Sequence, residues 1–216
     1  MTVVVLLGAP GAGKGTQAPL LAERLGVPHL ASGDLLRAAV AAGSPVGREA
    51  ESYMSRGELV PDDIVIRAFM ERLMAADAER GAVLDGFPRT RAQAEVLDER
   101  LPEQGSRVDR AVMIDVPAEE LISRLSGRWT CPSGHVYHVT ANPPEQEGVC
   151  DVDGSSLFQR DDDKPETVRA RLTSQLGALE EVVEHYRRRG ILGTVDGQRP
   201  IDEVTADLEA QLERVA

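Results

Sequence analysis

Residues 8–16 read G-A-P-G-A-G-K-G-T, with four glycines around one lysine, Lys14. Glycines clear side chains from the backbone, so successive N–H groups can turn inward around phosphate oxygens. Gly8, Gly13 and Lys14 fit G-x-x-x-x-G-K, in which the ammonium reaches the outer phosphates of a nucleotide. Gly11, Ala12, Gly13, Lys14, Gly15 and Thr16 therefore form a candidate polyphosphate cradle. Lys14 and Lys164 are the only lysines in a chain that otherwise uses arginine. Position 15 carries glycine where a Ser or Thr usually binds Mg²⁺ directly, and Thr16 follows one place later. The ion is expected to be held mainly by phosphate oxygens and water, with Asp85 anchoring such waters. A tight turn with an incidental lysine is the bland alternative, and the flanking strand and helix argue against it.

A second set is cationic. Arg124 and Arg128 stand i, i+4 toward the end of a helix starting at Pro117, a spacing that aims both at one place. Arg171 falls on the first turns of a helix over 165–189, and Arg160 just before it. Guanidinium forks suit phosphoryl oxygens better than lysine does. Phosphoryl transfer asks for alignment and charge stabilisation rather than covalent help, and no general base is evident. Taken singly, each arginine reads as a solvated surface residue.

The elements that must position these groups alternate. Apolar runs at 2–7, 27–30, 82–85, 110–115 and 191–197 read as short strands. Helical spacing fills 13–25, 33–43, 45–57, 61–81, 90–100, 165–189 and 201–214, several with proline near the start or glycine past the end. Alternation of this kind predicts an α/β fold with a five-stranded parallel sheet covered on both faces. Residues 31–60, two helices without a strand between them, and residues 128–160, rich in Gly, Pro, Ser and Asp, read as insertions.

The 216 residues suit one α/β domain carrying insertions. A net charge of −12 disfavours long polyanions such as nucleic acid but leaves small phosphates open to local cations. No apolar run approaches membrane-spanning length, no signal-peptide pattern opens the chain, and two cysteines make no disulfide framework. A cytoplasmic protein is the default expectation.

Together with "SGDLLR" at 32–37, "DGFPRT" at 85–90 and "RDDD" at 160–163, the glycine loop resembles that of the nucleoside monophosphate kinases, and within them the bacterial long-lid adenylate kinase family. "RAAV" at 37–40, "GELV" at 57–60, "QA" at 93–94 and "YHVTANPP" at 137–144 extend the likeness through nearly the whole chain. The resemblance implies a P-loop three-layer fold and the reversible reaction of Mg·ATP with AMP to give two ADP. Its core would be 1–30, 61–127 and 161–216, with 31–60 an AMP-binding insertion and 128–160 a lid. Ser32 and Arg37 would hold AMP, with Glu58, Leu59 and Val60 around its adenine and ribose. Gly86, Phe87, Pro88 and Arg89 would meet its phosphate and base, and Gln93 its adenine. Arg128, Val136, Tyr137 and Arg199 would meet ATP. Lys14, Asp85, Arg89, Arg124, Arg160 and Arg171 would serve the transfer, with Arg160 and Arg171 also touching AMP. Closure of both insertions would exclude water, and lid opening would limit turnover. The partners would be ATP, AMP and ADP, and the enzyme a monomer.

Some members of that family hold the lid with zinc. Here C-D-V-D supplies Cys150 and Asp153, while C-P-S-G-H supplies Cys131 with Ser133 or His135 nearby. The candidate set is Cys131, His135, Cys150 and Asp153, a mixture Zn²⁺ accepts; other members use polar hydrogen bonds instead. Trp129 stands where the family often has a second arginine, and Arg199 where it often has lysine. A UMP or CMP kinase is the nearest rival, though such enzymes often carry Asn in place of Thr90. A nucleic-acid-binding zinc ribbon conflicts with 3% aromatics and acidity, and a GTPase lacks the Asn-Lys-x-Asp stretch.

Overall fold

The computed structural model describes residues 2–213; Arg214, the last residue of the expected closing helix, lies outside them. Five parallel strands form the sheet: β1 (Thr2–Leu7), β2 (His29–Ala31), β3 (Gly81–Asp85), β4 (Val108–Asp115) and, late in the chain, a strand over Leu192–Asp196. Two short strands, β5 (Arg128–Thr130) and β6 (Val136–His138), pair antiparallel in the 128–160 segment, so the late strand is β7. The order across the large sheet is β2-β3-β1-β4-β7.

Strand β1 shows why both faces are covered. Val3, Val5 and Leu7 join one apolar cluster, and Val4 and Leu6 join another, as the two-residue period of a strand dictates. The first cluster packs under α4 (Asp62–Leu73), α5 (Arg91–Arg100) and the C-terminal half of α7 (Pro165–Arg188). The second takes α1 (Lys14–Leu25), α6 (Ala118–Ser126) and α8 (Ile201–Glu213). Helices α2 (Ser32–Ala41) and α3 (Pro45–Ser55) form the 31–60 segment.

Local chemistry explains most boundaries. Thr90 caps α5 by accepting from Gln93 N, and Ser44 caps α3 by accepting from Gly47 N ahead of Pro45. The expected helix over 61–81 is shorter than its pattern: α4 stops at Leu73, and Arg72 reaches Asp77 with two bonds of 2.8 and 2.7 Å, folding the chain into a short 3₁₀ turn. The helix from Pro117 also stops early. Gly127 caps α6, so Arg128 begins β5 and the i, i+4 pairing expected of Arg124 and Arg128 does not form.

Candidate active site

The site gathers at the carboxyl ends of the strands, where open α/β sheets place their ligands. The glycine loop follows β1, Ser32 follows β2, and Gly86–Arg89 follows β3. Gly8, Gly11 and Gly13 take φ of +153°, +86° and +99°, values that disfavour side chains, and a Cβ on Gly11 would press within 3.0 Å of Leu125. No side chain caps the start of α1, and its first turn holds no acid. Its N-terminal amides and dipole are thus presented to an anion.

Lys14 donates to the carbonyls of Gly8 at 2.7 Å and Ala9 at 3.1 Å. Burial lowers its ammonium to about 8, with Asp85 opposing and Arg89 and Arg171 adding to the fall. Asp85 ends β3 beside the loop, and a Cβ on Gly15 would stand 3.7 Å from its Oδ2. Burial pushes the Asp85 carboxyl up, but the His29 hydrogen bond and the Lys14 charge outweigh it, so the group stays ionised below the usual range.

Most of the arginines rest on carboxylates. Arg171 meets Asp163 at 2.8 Å and Asp162 at 3.0 Å; Arg128 grips the same Asp163 with two bonds of 2.7 and 2.5 Å. Arg37 meets Asp34 at 2.5 Å, and Arg160 lies 4.0 Å from that carboxylate. Arg124 donates to Glu120 and to the Gly197 carbonyl at 2.9 Å. Arg89 differs: its Nε donates to the Gly86 carbonyl at 2.7 Å, and among the described residues it makes no ion pair. Burial and then Arg171 push it down to about 10. Burial, then Arg37 and Arg128, bring Arg160 to about 10 as well. Crowded cations with lowered pKa values mark a place that favours anions.

Two clefts flank Arg89. One, about 470 Å³, brings together Ser32, Arg37, Glu58, Leu59, Val60, Arg89, Gln93 and Arg171. The other, about 480 Å³, runs along the glycine loop past Lys14, Gly86 and Pro88. Leu59, Arg89 and Gln175 line both. Ser32 Oγ donates to the Gly86 carbonyl, tying β2 to β3 at the cleft.

Other expected contacts lie apart. The Phe87 ring is fully buried and stacks on Phe69 at 4.1 Å, so its side chain belongs to the core rather than to a base pocket. Tyr137 turns into the interior of the 128–160 segment, where its hydroxyl accepts from Asp151 N at 2.8 Å; Val136 stays exposed. Arg199 is held on the surface by Glu203 at 2.6 Å and by Asp207.

Within residues 128–160, Cys131, His135, Cys150 and Asp153 bring their ligand atoms within 4.8 Å of one another. His135 Nδ1 lies 3.2 Å from Cys131 Sγ and 3.3 Å from Cys150 Sγ. Ser133 and Ser155 hydrogen-bond Asp153, which stays ionised well below the ordinary carboxylate range. His135 is thus the fourth member of the cluster, and Ser133 supports Asp153.

Sequence reasoning missed several residues that shape this site. Asp163, fully buried between two arginines, was marked only as part of an acidic run. Asp62 and His29 orient Gln93 and Asp85, and Ser174 and Gln175 reach the Gly57 carbonyl at 3.2 and 3.3 Å. The acidic run before α7 was the one signal; nothing local flagged the rest.

A phosphate loop facing a second, arginine-lined cleft across one unpaired guanidinium defines a nucleotide phosphotransferase of the P-loop class. Residues 6–191 match the family model described as adenylate kinase. The adenylate kinase of Thermodesulfovibrio yellowstonii is 51% identical over 98% of this chain and 99% of its own length. Those of Archaeoglobus fulgidus, at 47%, and Exiguobacterium sibiricum, at 48%, match over 97–98% of this chain and 98% of theirs. The chain belongs to the adenylate kinase family.

Proposed function

We propose that this chain transfers the terminal phosphoryl group of Mg·ATP to AMP, with the two clefts as donor and acceptor sites. The observation that carries this is Arg89, shared by both clefts and free of a carboxylate partner. The amides of residues 11–16 and Lys14 hold the triphosphate. Ser32, Arg37, Glu58, Leu59, Val60 and Gln93 hold AMP. An AMP phosphate oxygen bonds to the terminal phosphorus as the bridging P–O bond to ADP breaks. Arg89, Arg160 and Arg171 receive the charge spread over the transferring group, and Arg124 supports it from the β7–α8 side. Carboxylates pre-orient Arg124, Arg160 and Arg171, the Gly86 carbonyl pre-orients Arg89, and phosphate displaces them.

Mg²⁺ neutralises phosphate charge when bound, and the ionised Asp85 facing Gly15 suits the anchoring of its waters. Two sulfurs, one imidazole and one carboxylate suit structural Zn²⁺ in the lid, held by Cys131, His135, Cys150 and Asp153. Residues 31–60 and 128–160 act as mobile covers, and lid opening limits turnover. The enzyme acts as a cytoplasmic monomer; among the described residues no helix is long and apolar enough to cross a membrane. Coupled assay of ADP formation, with AMP, UMP and CMP in parallel, tests the reading. AMP should be strongly preferred, and Lys14→Met or Arg89→Ala should lose about 10³-fold in rate. Equal use of UMP, or full activity in Lys14→Met, contradicts it.

A further inference from the structure

Both polar atoms of the Gln93 carboxamide are held. Its Oε1 accepts from the backbone N–H of Arg89 at 2.8 Å, and its Nε2 donates to Asp62 Oδ1 at 2.7 Å. The same Asp62 oxygen accepts from the Thr90 hydroxyl at 2.9 Å, and that hydroxyl accepts the N–H of Gln93 itself at 3.2 Å. Gln93 is 1% exposed, so its amide is held by these partners rather than by solvent. Rotating the amide by half a turn would set its NH₂ against the Arg89 N–H and its carbonyl against the Asp62 carboxylate. Both contacts would turn from attractive to repulsive.

A carboxamide has two donors and two lone pairs. With one of each engaged, one N–H and one lone pair remain, on a side chain that lines the 470 Å³ cleft. Adenine offers an amino donor beside a ring-nitrogen acceptor. Hypoxanthine and guanine offer a carbonyl acceptor beside an N–H donor, the reverse pattern. An amide held one way matches adenine; turned over, it matches the oxopurines.

We propose that Asp62 is a specificity-determining positioning residue: it locks the Gln93 amide in the orientation that reads adenine and rejects oxopurines. This rests on the assignment of Gln93 to the AMP base in the preceding section. Asp62 carries the larger share of the lock because its bond is charge-assisted, whereas the Arg89 N–H is a neutral donor. Thr90 aligns the carboxylate and ties it to the cap of α5.

The test compares kcat/KM for AMP and for inosine monophosphate in the wild type, Asp62→Ala and Asp62→Asn, with KM for ATP as a control. The wild type should favour AMP strongly. Asp62→Ala should cut that preference by about tenfold or more, since a bond to a charged group is lost. Asn retains an oxygen that accepts both bonds but loses the charge, and its amide can turn with that of Gln93, so Asp62→Asn should fall between the wild type and Asp62→Ala. KM for ATP should not move in either. Should Asp62→Ala fold poorly, Asp62→Ser starts the helix well but is too short to reach Gln93, and should show the same loss. A wild-type preference that survives Asp62→Ala or Asp62→Ser overturns the lock, as does an Asn variant no better than Ala. A parallel fall for both nucleotides with the ratio intact also overturns it, because that is what simple loss of structure produces. A wild type that uses inosine monophosphate as readily as AMP removes the adenine reading of Gln93 itself, and the lock with it.

Discussion

The two segments that project from the sheet are anchored by different physics. Residues 31–60 borrow the main core: Leu36, Ala50 and Val60 join the cluster that holds Val3, Val5, Phe69 and Phe87. Residues 128–160 have a cluster of their own, only Cys131, Tyr137 and Cys150 with Leu157 against them. Trp129, Val136, Val139, Val152 and Phe158 stay exposed there. So small a core cannot by itself outweigh the entropy of ordering a segment of this length. The donor set of sulfur, imidazole and carboxylate is where the proposed Zn²⁺ would supply the missing cross-link. One segment should fail with the whole protein, the other on its own.

The sharpest break is at the residue where the 128–160 segment meets the core. Asp163 takes Arg128 from β5 and Arg171 from α7, and is fully buried. Asp163→Ala removes the one carboxylate that Arg128 meets among the described residues and leaves Arg171 with Asp162 alone. The expected cost is about 3–5 kcal/mol of stability, read by urea unfolding, together with loss of most activity. A variant within 1 kcal/mol of wild type, on the order of a surface change, would show that the lid hangs on its cluster alone.

Next in size is the contrast itself. Leu36→Ala removes buried methyl groups from the shared core and should cost about 2–4 kcal/mol in a single cooperative transition. Cys150→Ser should leave that transition within about 1 kcal/mol, yet speed hydrogen exchange through 128–160. A chelator should reproduce that pattern in the wild type and add nothing to Cys150→Ser. If Leu36→Ala loosened only 31–60, or Cys150→Ser melted the sheet, the two anchoring modes would be the reverse of those described.

The same contrast governs what could be read from the chain. Strand β1 and its glycine loop were legible because their information is local: an unbroken apolar run, then glycines at positive φ before a helix. The 31–60 helices were legible from their apolar spacing and from Gly43 and Gly57 past their ends. The partners of the arginines were not, because Arg128 and Asp163 stand 35 positions apart. Arg128 was placed on a helix that Gly127 ends, although a glycine there was a stop signal in plain view. Family motifs located Phe87 and Tyr137 but said nothing of which way their rings turn, since burial is decided by neighbours such as Phe69 and Cys150.

Lys14 belongs to neither segment and so gives a control that both variants should share. Its ammonium, lowered by burial to about 8, is protonated below that pH, the form proposed above to hold the triphosphate. Between 8 and 10.5 the unfolded chain holds the proton more firmly than the folded one, so nucleotide-free stability should rise with pH across that window. Affinity for ATP should move the other way, weakening by up to about tenfold per unit above the folded pKa as the protonated form is depleted. Titration calorimetry from pH 7 to 9 reads this. Cys150→Ser and Leu36→Ala should show the same slope; a slope that changed in Cys150→Ser would mean the lid helps set the charge at the loop.

The smallest expected effect refines the account of 31–60. Packing alone would let the segment rock about its core contacts, but two side chains of α7 also reach it. Ser174 Oγ and Gln175 Nε2 both donate to the Gly57 carbonyl, at 3.2 and 3.3 Å. Gly57 sits at φ +72°, and a Cβ there would fall 2.9 Å from that of Arg171, so only glycine lets this turn lie so close to α7. The clamp therefore fixes the distance between Glu58–Val60, on one side of the cleft, and Arg171 on the other. Each bond is neutral and long, worth about 0.5–1 kcal/mol. Ser174→Ala, which leaves the lining of the glycine-loop cleft intact, should thus raise KM for AMP by about two- to fivefold, with KM for ATP unchanged. The split is the informative part, because the glycine loop makes no contact with this turn's carbonyl. A joint rise in both constants would place the clamp in closure of the whole enzyme. No rise in either would mean that the packing of Leu36, Ala50 and Val60 is sufficient to hold the acceptor cleft in shape.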